Sequence, residues 1–404
     1  MRVTKIETVR LSEHPRLVWV QVHTDEGITG TGESYDKAGV IARAVHDVHA
    51  DILLGQDPTR IEYLWDRMFS VCNYHGYAGA EFRAASALDL ALWDIVGKIA
   101  GQPLYRILGG ATRDRLRLYN TCISWGSYRD RERFLSEPGP LAQELLAEGI
   151  TGIKVWPFDA YSAPTLGQEI SREGLKFGVG VVAAIREAVG DAMDIAVEMH
   201  ACWNLPSAIR IARALEPYDV MWIEEPMIPD NVEAYKALRA ATRVPICESE
   251  RLFTRFGFRA MIESGTLDVV MPDIVWTGGI TEMRKIASHA ATYLLPLAPH
   301  NAGGPITHLA NVHVAATLPN FKILESVRAF YRGWFPDVVD APPVVEAGHA
   351  LLPEGPGLGA NLLPDVRERP DAEIEASEAG HGLIFAATGD PWASSPGDPT
   401  QPET

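Results

Sequence analysis

No stretch of this 404-residue chain approaches the apolar length of a membrane-spanning helix, which needs roughly 18 consecutive residues or more. Basic clusters are missing too. The 36 Lys and Arg are scattered against 53 Asp and Glu, a formal charge of −17. Without grouped cations there is no footprint for phosphate backbones or anionic lipid, which excludes nucleic acid and membrane surfaces as partners. Cysteine is scarce, and the four present (Cys72, Cys122, Cys202 and Cys247) form no C-x-x-C pair. They read as reduced thiols, because a chain this long needs no covalent staples. The opening residues Met1-Arg-Val-Thr-Lys5 lack the apolar core of a secretion signal. A cytoplasmic protein is expected.

What the chain does have is apolar bulk, 47% of all residues. That is ample for a large core and two or three domains, although one α/β barrel can take about 250 residues by itself. Residues 1–115 read as a small α+β unit. Residues 18–23 alternate as a strand, 25–33 supply a glycine-containing turn and the next strand, and 10–16 form a short loop. Residues 38–54 and 59–69 change to a helical period, with Asp57-Pro58 as a break and Thr59 as an N-cap. Residues 72–79 form a Gly- and Tyr-rich loop, and 81–99 a long Ala- and Leu-rich helix.

Residues 116–336 alternate strand and helix. Eight strands are expected, at 116–123, 152–156, 195–200, 220–224, 246–250, 267–272, 294–299 and 322–325. Eight is the number that closes a parallel barrel. The connection 157–178 is unusually long, and no role for it follows from its residues. Residues 337–404 are rich in Pro and Gly, and are expected to pack back on the N-terminal unit, with disorder beyond about Gly389.

The chemistry concentrates where apolar runs stop at acids. Glu198, Glu224 and Glu250 stand 26 residues apart, about one βα unit, at the ends of consecutive strands. Such ends converge at one barrel mouth. Three converging carboxylates repel unless a hard cation lies among them, and an all-oxygen donor set points to Mg²⁺. Strand alternation puts His200 on the face of Glu198, and Trp156 on that of Lys154. Lys154 lies in an apolar run, where a buried ammonium needs partners. Asp273 and His300 end neighbouring strands, so the carboxylate can orient the imidazole as a base. Glu325 ends the last strand, either as a protonated group stabilising an oxyanion or as an anchor for a substrate hydroxyl. Metal and Lys154 would stabilise an enediolate, His300 would take the proton α to a carboxylate, and His200 would expel a β-hydroxide. His14, His75 and Tyr77 read as solvated loop residues. Trp203, Asn204 and Trp276 are candidate pocket walls, and Glu225 and Glu248 have no clear route to the metal.

Several motifs occur together: Ala91-Leu-Trp-Asp-Ile-Val-Gly-Lys98, Trp222-Ile-Glu-Glu-Pro226, Glu250-Arg-Leu252, Pro272-Asp273, Gly278-Gly-Ile-Thr-Glu282, Ala298-Pro-His300 and Pro356-Gly-Leu-Gly359. Over about residues 1–365 the chain thereby resembles the enolase superfamily, in its mandelate racemase-like subgroup. The resemblance implies a modified TIM barrel, (β/α)7β, under an α+β capping domain built from both chain ends. It implies Glu198, Glu224 and Glu250 as Mg²⁺ ligands, and Asp273 with His300 as a His–Asp dyad. It implies cap loops at 11–16 and 72–79 that select the substrate, the short first one leaving room for an extended polyhydroxy acid. Two features depart from the subgroup pattern. The first ligand is Glu rather than Asp, and Trp156 fills the place of the racemases' second-strand base. The pattern Glu198-Met-His200 is similar to that of acid-sugar dehydratases. A hydro-lyase converting an aldonate to a 2-keto-3-deoxy acid is therefore the leading expectation, in a homo-oligomer. The alternatives are a cycloisomerase of an anhydro-sugar acid of the 3,6-anhydro-galactonate type, similar at 154–159, and a sugar-acid epimerase or racemase.

Overall fold

The structure, a computed structural model, describes residues 1–378. The expected disorder beyond Gly389 falls outside the described residues. Three strands open the chain, β1 (Val3–Leu11), β2 (Leu17–Thr24) and β3 (Thr29–Tyr35), and they pair antiparallel in sequence order. The long helix Ala80–Ala100 lies across them. Gly30 and Gly32 permit that approach, because a Cβ on either would sit about 2 Å from the backbone oxygens of Ala91 and Ala87. Thr59 does not cap a helix. It bonds the Asp57 carboxylate through its amide (2.9 Å) and its hydroxyl (2.7 Å), and the helix Ile61–Asn73 begins after Arg60 without a side-chain cap. A local Asx turn holds Thr59 one residue before the N-cap position, with its hydroxyl turned to Asp57 rather than to the helix amides.

The barrel strands follow: β4 (Arg115–Thr121), β5 (Gly152–Val155), β6 (Asp194–Glu198), β7 (Trp222–Glu224), β8 (Ile246–Glu248) and β9 (Val269–Val270). They pair parallel, each with the next. The expected seventh strand is reduced to bridges, Val270↔Leu297, Leu297↔Phe321 and Asp273↔His300. They carry the pairing to β10 (Leu324–Ser326), which lies parallel to β4. A helix of ten residues or more follows each strand position but β10, after which Arg328–Tyr331 spans only four. Tyr119, Ala196, Trp222, Cys247, Met271, Ala298 and Ile323 form one apolar cluster inside the ring, so the barrel is filled below its mouth.

The C-terminal segment divides between the two units. β11 (Val345–Glu346) and β12 (His349–Leu351) form a hairpin whose second strand pairs antiparallel with β4, so this part packs on the barrel rather than on the cap. β13 (Ala372–Glu378) pairs antiparallel with β1 and completes the cap sheet. Two buried cap carboxylates join the units by capping barrel helices. Asp89 accepts from Thr281 N (3.0 Å) and Oγ1 (2.6 Å) at the start of Gly279–Thr292. Glu33 accepts from Gly304 N (2.7 Å) at the start of Pro305–Thr317. Unpaired amides and the helix dipole both favour an anion at these ends. No helix among the described residues is long and apolar enough to cross a membrane.

Candidate active site

Glu198 and Glu224 end β6 and β7 as direct register partners, so their carboxylates leave adjacent strands at one level. Each follows a residue of the barrel filling by two, Ala196 and Trp222, as strand alternation requires. Glu250 arrives differently. Cys247 is the inward residue of β8, so Glu250 is out of phase with it and is delivered by the loop after the strand. One oxygen of each of the three lies within 4.8 Å of the others, and all three residues are buried.

Lys154 is the counter-charge in the structure. Its Nζ lies 2.5 Å from Glu224 Oε1, 2.8 Å from Glu325 Oε1 and 3.2 Å from Glu198 Oε2. Burial alone would lower its pKa, but Glu224 and Glu325 outweigh burial and hold the ammonium well above its usual range. Burial and the adjacent Glu198 push Glu224 well up. Glu198 is buried as well, but His200 and Lys154 draw it down to about 2. Three converging carboxylates, with Glu325 beside them, outnumber the one ammonium in this buried space. With an all-oxygen donor set, this group can hold a hard divalent cation.

The expected dyad forms: His300 Nδ1 is 2.7 Å from Asp273 Oδ2, and Val275 N donates to Oδ1 at 2.8 Å. A third member comes from the cap. The Tyr35 hydroxyl donates to Asp273 Oδ2 and lies 3.1 Å from His300 Nδ1. Nothing in the sequence marked Tyr35, whose strand alternation looks like that of any cap strand. His300 Nε2 reaches Glu250 Oε2 at 2.9 Å, which ties the dyad to the carboxylate cluster. Burial opposes charge on this imidazole, but Glu250 and Glu325 raise its pKa well above the ordinary value.

Glu325 does not suit the protonated role expected for it. Burial favours the acid form, yet Lys154 and His300 hold it ionised, at about 2. Thr121 Oγ1 and Asn301 N (2.8 Å) also donate to it, so it acts here as an acceptor. His200 lies beyond the end of β6, so strand alternation is not what places it. Its φ is 45° and that of Ala201 is 54°. Its amide turns back to Glu198 Oε1 (2.7 Å), and ring Nδ1 meets Asp159 Oδ2 at 2.6 Å. Burial lowers the imidazole pKa, but Glu198 and Asp159 raise it to about 9.

A cavity of about 710 Å³ opens over these groups, walled by Lys154, Glu198, His200, Glu250, His300 and Glu325. Glu224 and Asp273 lie behind its wall. The cap contributes Arg16, Asp36 and Arg83. Of these, Arg16 closes the expected first loop, and Arg83 lies 3.9 Å over the Trp276 ring. Trp156 and Trp276 line the cavity as walls, but Trp203 is packed in the core away from it. His75 and Tyr77 do not reach the cavity. His14 is not solvated: it is buried, 4.3 Å from Trp334 and 5.1 Å from Trp125 between ring centres. Glu225 and Glu248 serve the surrounding loops, accepting from Ser249 Oγ (2.7 Å) and Tyr235 OH (2.6 Å).

Residues 4–109 match the mandelate racemase / muconate lactonizing enzyme N-terminal domain, and residues 140–366 match the enolase C-terminal domain-like family. The D-xylonate dehydratase of Haloferax volcanii is 32% identical over 374 residues, covering 92% of this chain and 90% of its own. The D-galactonate dehydratase of Ralstonia nicotianae is 34% identical over 372 residues, covering 90% of this chain and 92% of its own. A crystal structure of an enolase of the mandelate racemase subgroup from Agrobacterium tumefaciens aligns with a TM-score of 0.86 at 42% identity. The alignment covers 94% of this chain and 99% of that one.

Proposed function

We propose, for a chain that belongs to the enolase superfamily in its mandelate racemase-like group, the dehydration of a sugar acid to its 2-keto-3-deoxy product. Glu198, Glu224 and Glu250 would hold Mg²⁺, which when bound supplies positive charge to stabilise an enediolate. His300, oriented through Nδ1 by Asp273, takes the proton from C2 of the substrate at Nε2 as the neutral imidazole, the form available when Glu250 serves a cation rather than Nε2. The Lys154 ammonium adds fixed positive charge beside the carboxylate end, where negative charge grows. Glu325 holds Lys154 and the His300 loop in place as an acceptor. His200, paired through Nδ1 with Asp159, gives its Nε2 proton to the C3 hydroxyl as it leaves.

One observation carries this reading. His200 and His300 face one cavity from the third and seventh strand positions of a ring of eight, across the carboxylate cluster. One imidazole is thus available for each of the two protons that a dehydration moves. The relatives named D-galactonate and D-xylonate dehydratases support the same class. A two-base racemase is disfavoured, because Trp156 stands where a second base would be and Lys154 is committed to three carboxylates.

The test is a panel of aldonates, beginning with D-galactonate and D-xylonate, incubated with Mg²⁺ and read by a carbonyl reagent. A 2-keto acid that disappears with His300→Asn, and without metal, is the expected result. Product from anhydro-sugar acids alone would shift the assignment to a cycloisomerase. Deuterium entering C2 with no keto acid formed would overturn dehydration.

A further inference from the structure

We propose that Asp159 is the positioning residue for His200, holding the imidazole through Nδ1 so that Nε2 is presented to the cavity. The inference rests on the dehydration reading, in which His200 protonates the departing hydroxyl, and it gives a role to the connection 157–178.

The hydrogen bonds divide the task. The backbone of His200 is fixed independently of its ring: its amide bonds Glu198 Oε1 (2.7 Å) and its carbonyl accepts from Arg251 Nη2 (3.2 Å). What remains free is the rotation of the imidazole. The ring is 38% exposed and meets Trp156 only edge-on, 5.9 Å between centres. Asp159 Oδ2, at 2.6 Å from Nδ1, is the one polar contact the described residues give that ring. The Asp159 side chain has no other hydrogen bond, and its Oδ1 is buried without a partner. The side chain is only partly covered, yet its Oδ1 is buried with no partner, a cost that the single bond to His200 must offset.

The connection is also built onto the loop that carries His200. Gly167 sits so close that a Cβ there would meet the Cys202 carbonyl oxygen at 1.8 Å. Its own carbonyl accepts from Asn204 N (3.1 Å), and Asn204 Nδ2 donates to Gln168 O (2.8 Å). At the other end Phe158 packs into the space left by Gly178, where a Cβ would lie 2.1 Å from the ring. Asp159, next to Phe158, is thereby held at a fixed place relative to the His200 loop.

The reaction itself separates positioning from general damage. In dehydration the C2–H bond breaks with its proton going to His300, and its electron pair becomes the C2–C3 double bond. The C3–O bond breaks, and the oxygen leaves with that pair and the His200 proton as water. The enol then becomes the ketone. In a 3-deoxy-3-fluoro substrate the leaving group departs as fluoride and takes no proton. A misplaced His200 should therefore slow loss of water and spare loss of fluoride.

The experiment compares the parent enzyme with Asp159→Asn and Asp159→Ala, all with Mg²⁺. The probes are D-galactonate, its 3-deoxy-3-fluoro analogue and C2 hydrogen exchange in D2O. Formation of 2-keto acid from D-galactonate should fall on the order of 100-fold in kcat. KM, fluoride release and C2 exchange should stay within about three-fold of the parent, as expected when only a transition-state contact is lost. An unchanged kcat, or an equal loss in all three reactions, would overturn the proposal. A crystal structure of Asp159→Ala reads the same point without turnover: a displaced His200 ring supports it, and a ring in its parental place overturns it. If the parent itself exchanges C2 hydrogen but eliminates nothing, dehydration fails, while the crystallographic comparison still decides Asp159.

Discussion

The phenol of Tyr35, the last residue of β3, donates to the same Asp273 oxygen that meets His300 Nδ1 at 2.7 Å. Two members of this triad come from the barrel and one from the cap, so the hydrogen-bonded group is complete only when the two units are docked. Burial and Asp273 both raise the phenol pKa well above its ordinary value, which keeps Tyr35 a donor.

Tyr35→Phe removes that donor and leaves the His300–Asp273 bond. The rate of C2 hydrogen exchange should fall roughly ten-fold, the scale of one hydrogen bond to a charged group. KM should hold. Deuterium incorporation followed by NMR measures it, and an unchanged rate would reduce Tyr35 to packing.

Glu224→Gln removes one of the three converging carboxylates. Calorimetric titration should find Mg²⁺ binding in the parent and a loss of at least about ten-fold in the variant. At Mg²⁺ a hundred-fold above Kd the folded parent gains about 2.7 kcal/mol. A ten-fold weaker Kd cuts that gain to about 1.4 kcal/mol, so the rise in melting temperature should be about halved in Glu224→Gln, or less if the loss is larger.

Asp89 is remote from the cavity and ties the cap helix to Gly279–Thr292 through Thr281. Asp89→Ala leaves two buried donors unpaired and should cost about 2–3 kcal/mol in urea unfolding. The kcat should be nearly unchanged. A loss below about 0.5 kcal/mol would show that water or a neighbour replaces the carboxylate.

His49, His308 and His313 are each lowered by burial from the ordinary 6.5 to about 4. Above pH 6.5 they are neutral whether the chain is folded or not, and contribute nothing to pH dependence. Between about pH 6.5 and 4 the unfolded chain takes up protons that the folded chain refuses, so stability falls as pH falls. Each contributes a slope of up to roughly 1.4 kcal/mol per pH unit. Denaturant unfolding over that range should show a shallower slope for His49→Gln than for the parent; equal slopes would contradict it.

Much of the site was legible because it is written locally. Glu198 and Glu224 stand two residues beyond Ala196 and Trp222, whose small and large apolar side chains fill the barrel, so alternation alone aims them. Asp273 and His300 end neighbouring strands, and their bridge is a matter of strand order. Glu250 and His200 reach the same cavity by a route that alternation does not describe, because loops rather than strand period deliver both. The seventh strand was drawn too long, since an apolar run that ends at a proline, as 294–299 does, reads as a strand whether or not it makes a ladder.

By itself, then, the sequence determined the alternation of strand and helix and the acids at the strand ends. It also put Asp273 and His300 at the ends of neighbouring strands, where they hydrogen-bond. These depend on side-chain period and neighbour order, which are properties of short segments. Only the tertiary structure decided that Tyr35 completes the dyad across 238 residues of chain, that Asp159 meets His200 across 41, and that Lys154 stands among three carboxylates. It also decided that Glu325 is surrounded by donors, Lys154, Thr121 and the Asn301 amide. The reason is physical: hydrogen bonding and pKa are set by which groups share a dry space, and no local pattern records which loops will close it.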